Sequence, residues 1–140
     1  MFKCQHREKV IDVRYDGKPI EYGSVMSKEE TKVQPEVKFV REPGKIYSII
    51  MVDPDAPSPK DPKFRYYLHW LIINDTTVVD KYVGPAPPPD SGTHRYYITV
   101  FEQPGLISLS ELPRPKFDFE NYISKHKLKL VGCTKYEVIG

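Results

Sequence analysis

DPDAPSPKDPKFRYYLHWLIIN, spanning Asp53 to Asn74, joins an acidic, proline-locked loop to an apolar strand that carries one histidine, His69. YVGPAPPPDSGTHRYYITVFEQ, from Tyr82 to Gln103, is built the same way: a proline-rich loop, one histidine (His94), then an aromatic strand. Proline fixes φ and removes a backbone donor, so both loops are pre-organised. Two rigid loops that each deliver a polar group to an apolar strand suit the wall of a ligand pocket better than a pair of ordinary turns.

Outward from these two units the chain reads as strands. Lys45 to Asp53 (KIYSIIMVD) is apolar on both faces, the mark of a central strand. Tyr66 to Asn74 is a second buried strand, Thr76 to Val83 a more exposed third, and Arg95 to Gln103 a fourth. Upstream, Val10 to Tyr15 alternates in part and runs into Asp16-Gly17, a hairpin signal, and Pro35 to Val40 alternates again. Tyr22 to Val33 has no period and reads as a loop with at most one short helical turn. Pro104 to Lys116 reads as an irregular connection. Asp118 opens one helix, with Phe119, Tyr122, Ile123 and His126 at helical spacing and Lys125, Lys127 and Lys129 near its far end. Thr134 to Ile139 closes the chain as another strand. The reading is one mainly β domain over residues 1–140, a β-sandwich of two antiparallel sheets with one or two short helices.

Composition narrows the function classes. The 140 residues carry a net charge of only +2 with both signs interspersed, which argues against nucleic-acid binding driven by a basic face. Ten tyrosines favour strands. Cys4 and Cys133 are expected as two free buried thiols, a disulfide joining the ends being the alternative. No CxxC pair or Cys/His cluster points to zinc. No apolar run approaches the roughly 18–20 residues of a membrane span, and MFKCQHREK lacks a signal-peptide core, so a cytoplasmic setting is expected.

Strand parity locates the chemistry, because side chains alternate faces with period two. Asp53 shares a face with Tyr47, Ile49 and Met51; His69 with Tyr67, Leu71 and Ile73; His94 with Tyr96, Ile98 and Val100. Taken singly, each histidine is more simply a satisfied, partly buried side chain, and Asp53 and Asp55 are ordinary turn formers. Two proline-dense loops at the same kind of junction favour the pocket. In Gly84 to His94, four prolines leave the N–H donors to Gly84, Ala86 and residues 90–94, enough with an imidazole to hold a phosphate. His6 and His126 belong to neither unit.

DPDAPSP, the following Pro62 and Arg65, YLHWL, YVGPAPPP and HRYYITVFEQ resemble, in order and spacing, the signature segments of the phosphatidylethanolamine-binding protein family, which includes kinase inhibitors and flowering regulators. The resemblance runs from about Val10 to Ile139. It implies a β-sandwich with an anion pocket at one edge, lined by Asp53, His69, Ala86, Pro87, Pro88, His94 and Tyr96, with Tyr67 at the rim. It also implies cis bonds at Ala56–Pro57 and Arg65–Tyr66. Ala86 stands where the family has a pocket glycine, and Tyr67-Leu68 where animal members have Trp-His. The chain stops at Gly140, where animal relatives continue into a helix over the pocket, so a more open pocket is expected.

The function expected from residues and resemblance together is binding and regulation. The ligand would be phosphate-bearing, a phospholipid head group or a phosphorylated protein residue, and the output control of a protein kinase or other signalling protein. Membrane contact would be peripheral at most, with no nucleic acid, no cofactor and no bound metal. A protease-inhibitor or scaffold module using the rigid loops is the alternative. A metal-dependent hydrolase built on two histidines and an aspartate is third; no HExxH, Walker loop or nucleophile elbow accompanies it, so no enzyme is expected.

Overall fold

The computed structural model describes residues 2–5 and 10–140; His6 lies outside the described residues. Its elements are β1 (Ile11–Tyr15), β2 (Lys18–Pro19), β3 (Ser24–Val25), β4 (Glu36–Phe39), β5 (Ile46–Asp53), β6 (Tyr67–Ile73), β7 (Thr77–Asp80), β8 (Thr93–Gln103), α1 (Phe119–Lys125) and β9 (Lys129–Ile139). They form a three-stranded sheet in the order β2-β1-β4 and a six-stranded sheet in the order β3-β9-β8-β5-β6-β7. Asp16 and Gly17 both take positive φ, the geometry a tight β1–β2 hairpin needs.

The large sheet is buried on both faces, which explains why β5 reads as continuous apolar sequence. One face packs Tyr47, Ile49, Met51, Trp70, Tyr96, Ile98 and Tyr136 against Val13 and Tyr15 of the small sheet. The other packs Ile50, Val52, Leu68, Leu71, Tyr97 and Phe101 under Phe117, Phe119, Tyr122 and Leu128 of the helical segment. At roughly 25 cal/mol per Å² of apolar surface, these two layers supply most of what holds the fold. Asp118 caps α1 by accepting from the Asn121 N–H.

Several expectations need correction. Cys4 and Cys133 are bonded to each other, not free. The two cysteines share one core layer with Phe119, and the Phe2 ring, 4.9 Å centroid to centroid from Phe119, packs against the same layer. Within the stretch read as a loop, Ser24–Val25 pairs with Tyr136 and Glu137 in parallel, an exception to the antiparallel rule. The helix ends at Lys125, the chain turns through Lys127 at positive φ, and β9 starts five residues earlier than expected, so Lys129 is a strand residue. The cis bonds expected at Ala56–Pro57 and Arg65–Tyr66, by contrast, are present. No described helix is long and apolar enough to cross a membrane.

The histidine parity fails in part for a physical reason. Met51 pairs with Trp70 but Val52 with Leu68, so His69 is the extra residue of a β-bulge. Tyr67 stays on the His69 side, whereas Leu71 and Ile73 belong to the opposite core layer. The bulge turns His69 out of the regular ladder, at the sheet end where the two proline loops meet.

Candidate functional site

Asp53 ends β5, His69 occupies the β6 bulge, and His94 and Tyr96 open β8, so three neighbouring strands of one sheet bring these side chains to one edge. There they line a cavity of about 210 Å³. Tyr67, Ala86, Pro87 and Pro88 line it too, so all eight candidate residues meet at one wall. Ala56, Pro57, Phe64, Val83 and Gly84 complete the lining. The surface is mostly apolar.

The polar groups are tightly fixed. His94 is 1% exposed and its Nδ1–H donates to Asp53 Oδ2 over 2.9 Å. Asp53 Oδ1 accepts from the Asp55 backbone N–H at 2.6 Å. On the far side of the ring, His94 Nε2 lies 2.9 Å from Ser91 Oγ. His69 Nδ1 donates to the Val83 carbonyl at 2.7 Å, an oxygen that only accepts, so the proton of the neutral ring sits on Nδ1. Burial lowers the proton affinity of this imidazole below its ordinary value; Val83 and Asp53 oppose the shift without reversing it. Tyr96 stands between the rings, edge-on to His69 and stacked on His94, and its hydroxyl is raised by burial and by the nearby Asp53 charge.

Two side chains support the site, Arg114 outside any motif and Asp55 within the DPDAPSP stretch. Arg114 reaches from the 104–118 connection and donates Nη1 to the carbonyls of Leu68 (3.0 Å) and His69 (3.2 Å) and Nη2 to that of Lys81 (2.8 Å). It thereby clamps the bulge to the segment whose Val83 carbonyl orients His69. Asp55 is 2% exposed and accepts Arg95 through Nε (2.9 Å), Nη2 (2.8 Å) and the backbone N–H (2.9 Å). Burial alone would raise the Asp55 carboxyl; the Arg95 hydrogen bonds and charge outweigh it and hold it below the usual carboxylate range. Gly84 must remain small, since a Cβ there would lie 2.9 Å from the Thr31 carbonyl oxygen.

Asp53, His94 and Ser91 follow one another as an acid–base–hydroxyl relay, but the geometry does not present Ser91 for attack. Ser91 is not part of the cavity wall. Among the described residues, no three His, Cys, Asp or Glu side chains are grouped to hold a metal ion.

With this geometry in view, comparison with known proteins gives consistent matches. The family model described as phosphatidylethanolamine-binding protein matches residues 11–136. A Drosophila melanogaster protein that carries the name odorant-binding protein A5 is 33% identical over 139 residues; the match covers 93% of this chain but only 65% of that protein. Among solved structures, a Plasmodium falciparum phosphatidylethanolamine-binding protein superposes with a TM-score of 0.70 at 26% identity, covering 94% of this chain and 88% of that one. A carboxypeptidase Y inhibitor, solved in complex with its cognate proteinase, superposes with a TM-score of 0.79 at 22% identity, covering 91% of this chain and 81% of that one, a likeness of fold.

Proposed function

Because the chain belongs to the phosphatidylethanolamine-binding protein family, we propose that its cavity holds a small phosphate-bearing group, a head group or a phosphorylated side chain. In this reading it acts as a binding and regulatory protein in a signalling complex, with the rigid loops 54–62 and 84–92 as the surface a protein partner meets. The observation that carries the reading is the cavity itself. It is an apolar socket of about 210 Å³ whose polar groups converge from β5, β6 and β8. Each is held by a second contact: His94 by Asp53 and Ser91, His69 by Val83, Asp53 by Asp55. Such convergence of a few fixed polar groups on an apolar concavity is how small-ligand sites are built.

The test is an NMR titration of the imidazoles with phosphoethanolamine and with a phosphotyrosine peptide. Expected are saturable shifts at His69 and His94 with none at His126, which lies on the far groove beside Tyr122. The tighter ligand assigns head group or phosphoprotein. A protein partner whose binding ignores both ligands but fails on substitutions in the two loops would move the function to that surface.

A further inference from the structure

Among the described residues three buried side-chain atoms have no hydrogen-bond partner: Trp70 Nε1, Asp80 Oδ2 and the Tyr122 hydroxyl. Native proteins pair nearly all such groups, so each exception calls for a cause. Tyr122 is 6% exposed and lines a second cavity, of about 280 Å³, which shares no residue with the first. It lies on the side of the large sheet that packs under the helical segment.

One wall of this groove is α1, where Asn121, Tyr122, Lys125 and the C-cap His126 fall at neighbouring helical positions. The other is the connection before it, from Leu109 and Leu112 through Pro113 and Pro115 to Lys116. That wall is pinned. The Leu112 N–H donates to Asp80 Oδ1 (2.9 Å), and Arg114 spans its three carbonyls. The Lys116 and Phe117 N–H groups donate to the carbonyls of Phe64 (3.1 Å) and Tyr66 (2.8 Å). The groove is therefore preformed, as small-molecule sites usually are.

Its charges are uncommitted. Lys116 and Lys125 are exposed, and among the described residues neither has an ion-pair partner. The one carboxylate on the wall, Asp118, caps α1 through the Asn121 N–H. Burial, and after it Lys125, holds the proton affinity of His126 below its ordinary value, so near pH 7.5 the ring adds no charge. Two ammonium groups against one carboxylate suit a single negative charge. Burial alone pushes the Tyr122 hydroxyl up to about 12, which makes it a donor at neutral pH. The body of the groove is aromatic: the Tyr122 ring lies 4.5 Å from that of His126 and 5.3 Å from that of Phe117. Ligand sites run from about 300 Å³ upward, so this one has room for about one ring.

We propose that the groove is a second binding site, for a small aromatic carboxylate. Its ring packs among Leu109, Leu112 and Tyr122, and its carboxylate accepts from the Tyr122 hydroxyl under the charge of Lys116 and Lys125. The proposal is independent of the phosphate reading of the first cavity.

Titration of the intact chain with phenylacetate at pH 7.5, followed by NMR, tests it. Expected are saturable shifts at Tyr122 and His126, with His69 and His94 unmoved. Phenylacetamide keeps the ring and loses the charge, and is expected to bind at least about tenfold more weakly, a gap of roughly 1.4 kcal/mol. Tyr122→Phe removes only the unpartnered hydroxyl; it should fold with an unchanged or higher Tm and bind phenylacetate about tenfold more weakly. Lys116→Gln combined with Lys125→Gln should weaken binding and flatten its dependence on salt. No saturable shift at His126, phenylacetamide as tight as phenylacetate, or full affinity in folded Tyr122→Phe each overturns the proposal. A short peptide ending in phenylalanine that binds more tightly than phenylacetate moves the occupant to a chain terminus and overturns it as well. The phosphate titration reads His69 and His94, so its failure and the failure of this proposal are told apart.

Discussion

Replacing Arg114 by alanine tests whether the His69 geometry is imposed from behind the sheet. The change removes three guanidinium hydrogen bonds. The one to Lys81 is solvent-exposed, and water replaces it at little cost. The two to Leu68 and His69 are partly sheltered, which places them near the low end, about 1.5 kcal/mol each, of the range for hydrogen bonds to a charged group. The loss is then about 3 kcal/mol, a fall in Tm of roughly 9–12 °C for a domain of this size. A structural role alone would end there. If Arg114 positions His69, the ring nitrogen resonances of His69 will also lose the signature of a fixed Nδ1–H tautomer, and phosphoethanolamine affinity will drop about tenfold, some 1.4 kcal/mol. Lysine at 114 keeps the charge but cannot span three carbonyls, so it recovers part of the Tm and not the His69 signature. A normal His69 spectrum in a destabilised Arg114→Ala protein would refute the positioning argument, and an unchanged Tm would refute the clamp.

Other expectations concern the frame around the cavity. Reduction, or Cys133→Ser, releases a cross-link of sequence separation 129, for which loop-closure entropy sets a ceiling of about 4–5 kcal/mol; a thiol assay on the denatured, unreduced protein should find no free thiol. The same assay on protein taken directly from a reducing cytosol tests the cytoplasmic expectation, since such surroundings keep thiols reduced. Asp55→Asn leaves Arg95 without its carboxylate and should cost about 2–4 kcal/mol, less than a fully buried pair because Arg95 is partly exposed. The folded Asp55 carboxyl is held below its unfolded value, so its contribution is present above about pH 4 and lost as pH falls further. Acid unfolding of the wild type followed by circular dichroism should therefore be steeper below pH 4 than that of Asp55→Asn.

Much of this architecture was legible because local patterns and tertiary demands agree. β5 is apolar on both faces and is buried on both; Asp16-Gly17 supplies the positive φ values of its hairpin; Asp118 caps the helix it opens. Parity put Asp53 on the face of Met51 and His94 on the face of Ile98, and those two faces belong to one core layer. It misjudged the partners of His69 because a bulge costs one residue of register and leaves no distinct trace among aromatic and aliphatic neighbours. Arg114 and Ser91 carry no motif for a different reason. Their roles are hydrogen bonds made across 46 residues in one case and across a tight turn in the other, and no periodicity reports either. The cysteine pairing joins residues 129 positions apart that meet in one core layer, a contact no spacing rule encodes.

The bond between residues 4 and 133 gives the polypeptide the connectivity of a ring. A single cut in an exposed loop within that ring, such as the segment around Leu106, would open the backbone without parting the molecule. The nicked protein would migrate as one species until reduced, with β5, β6 and β8 still able to gather around the cavity.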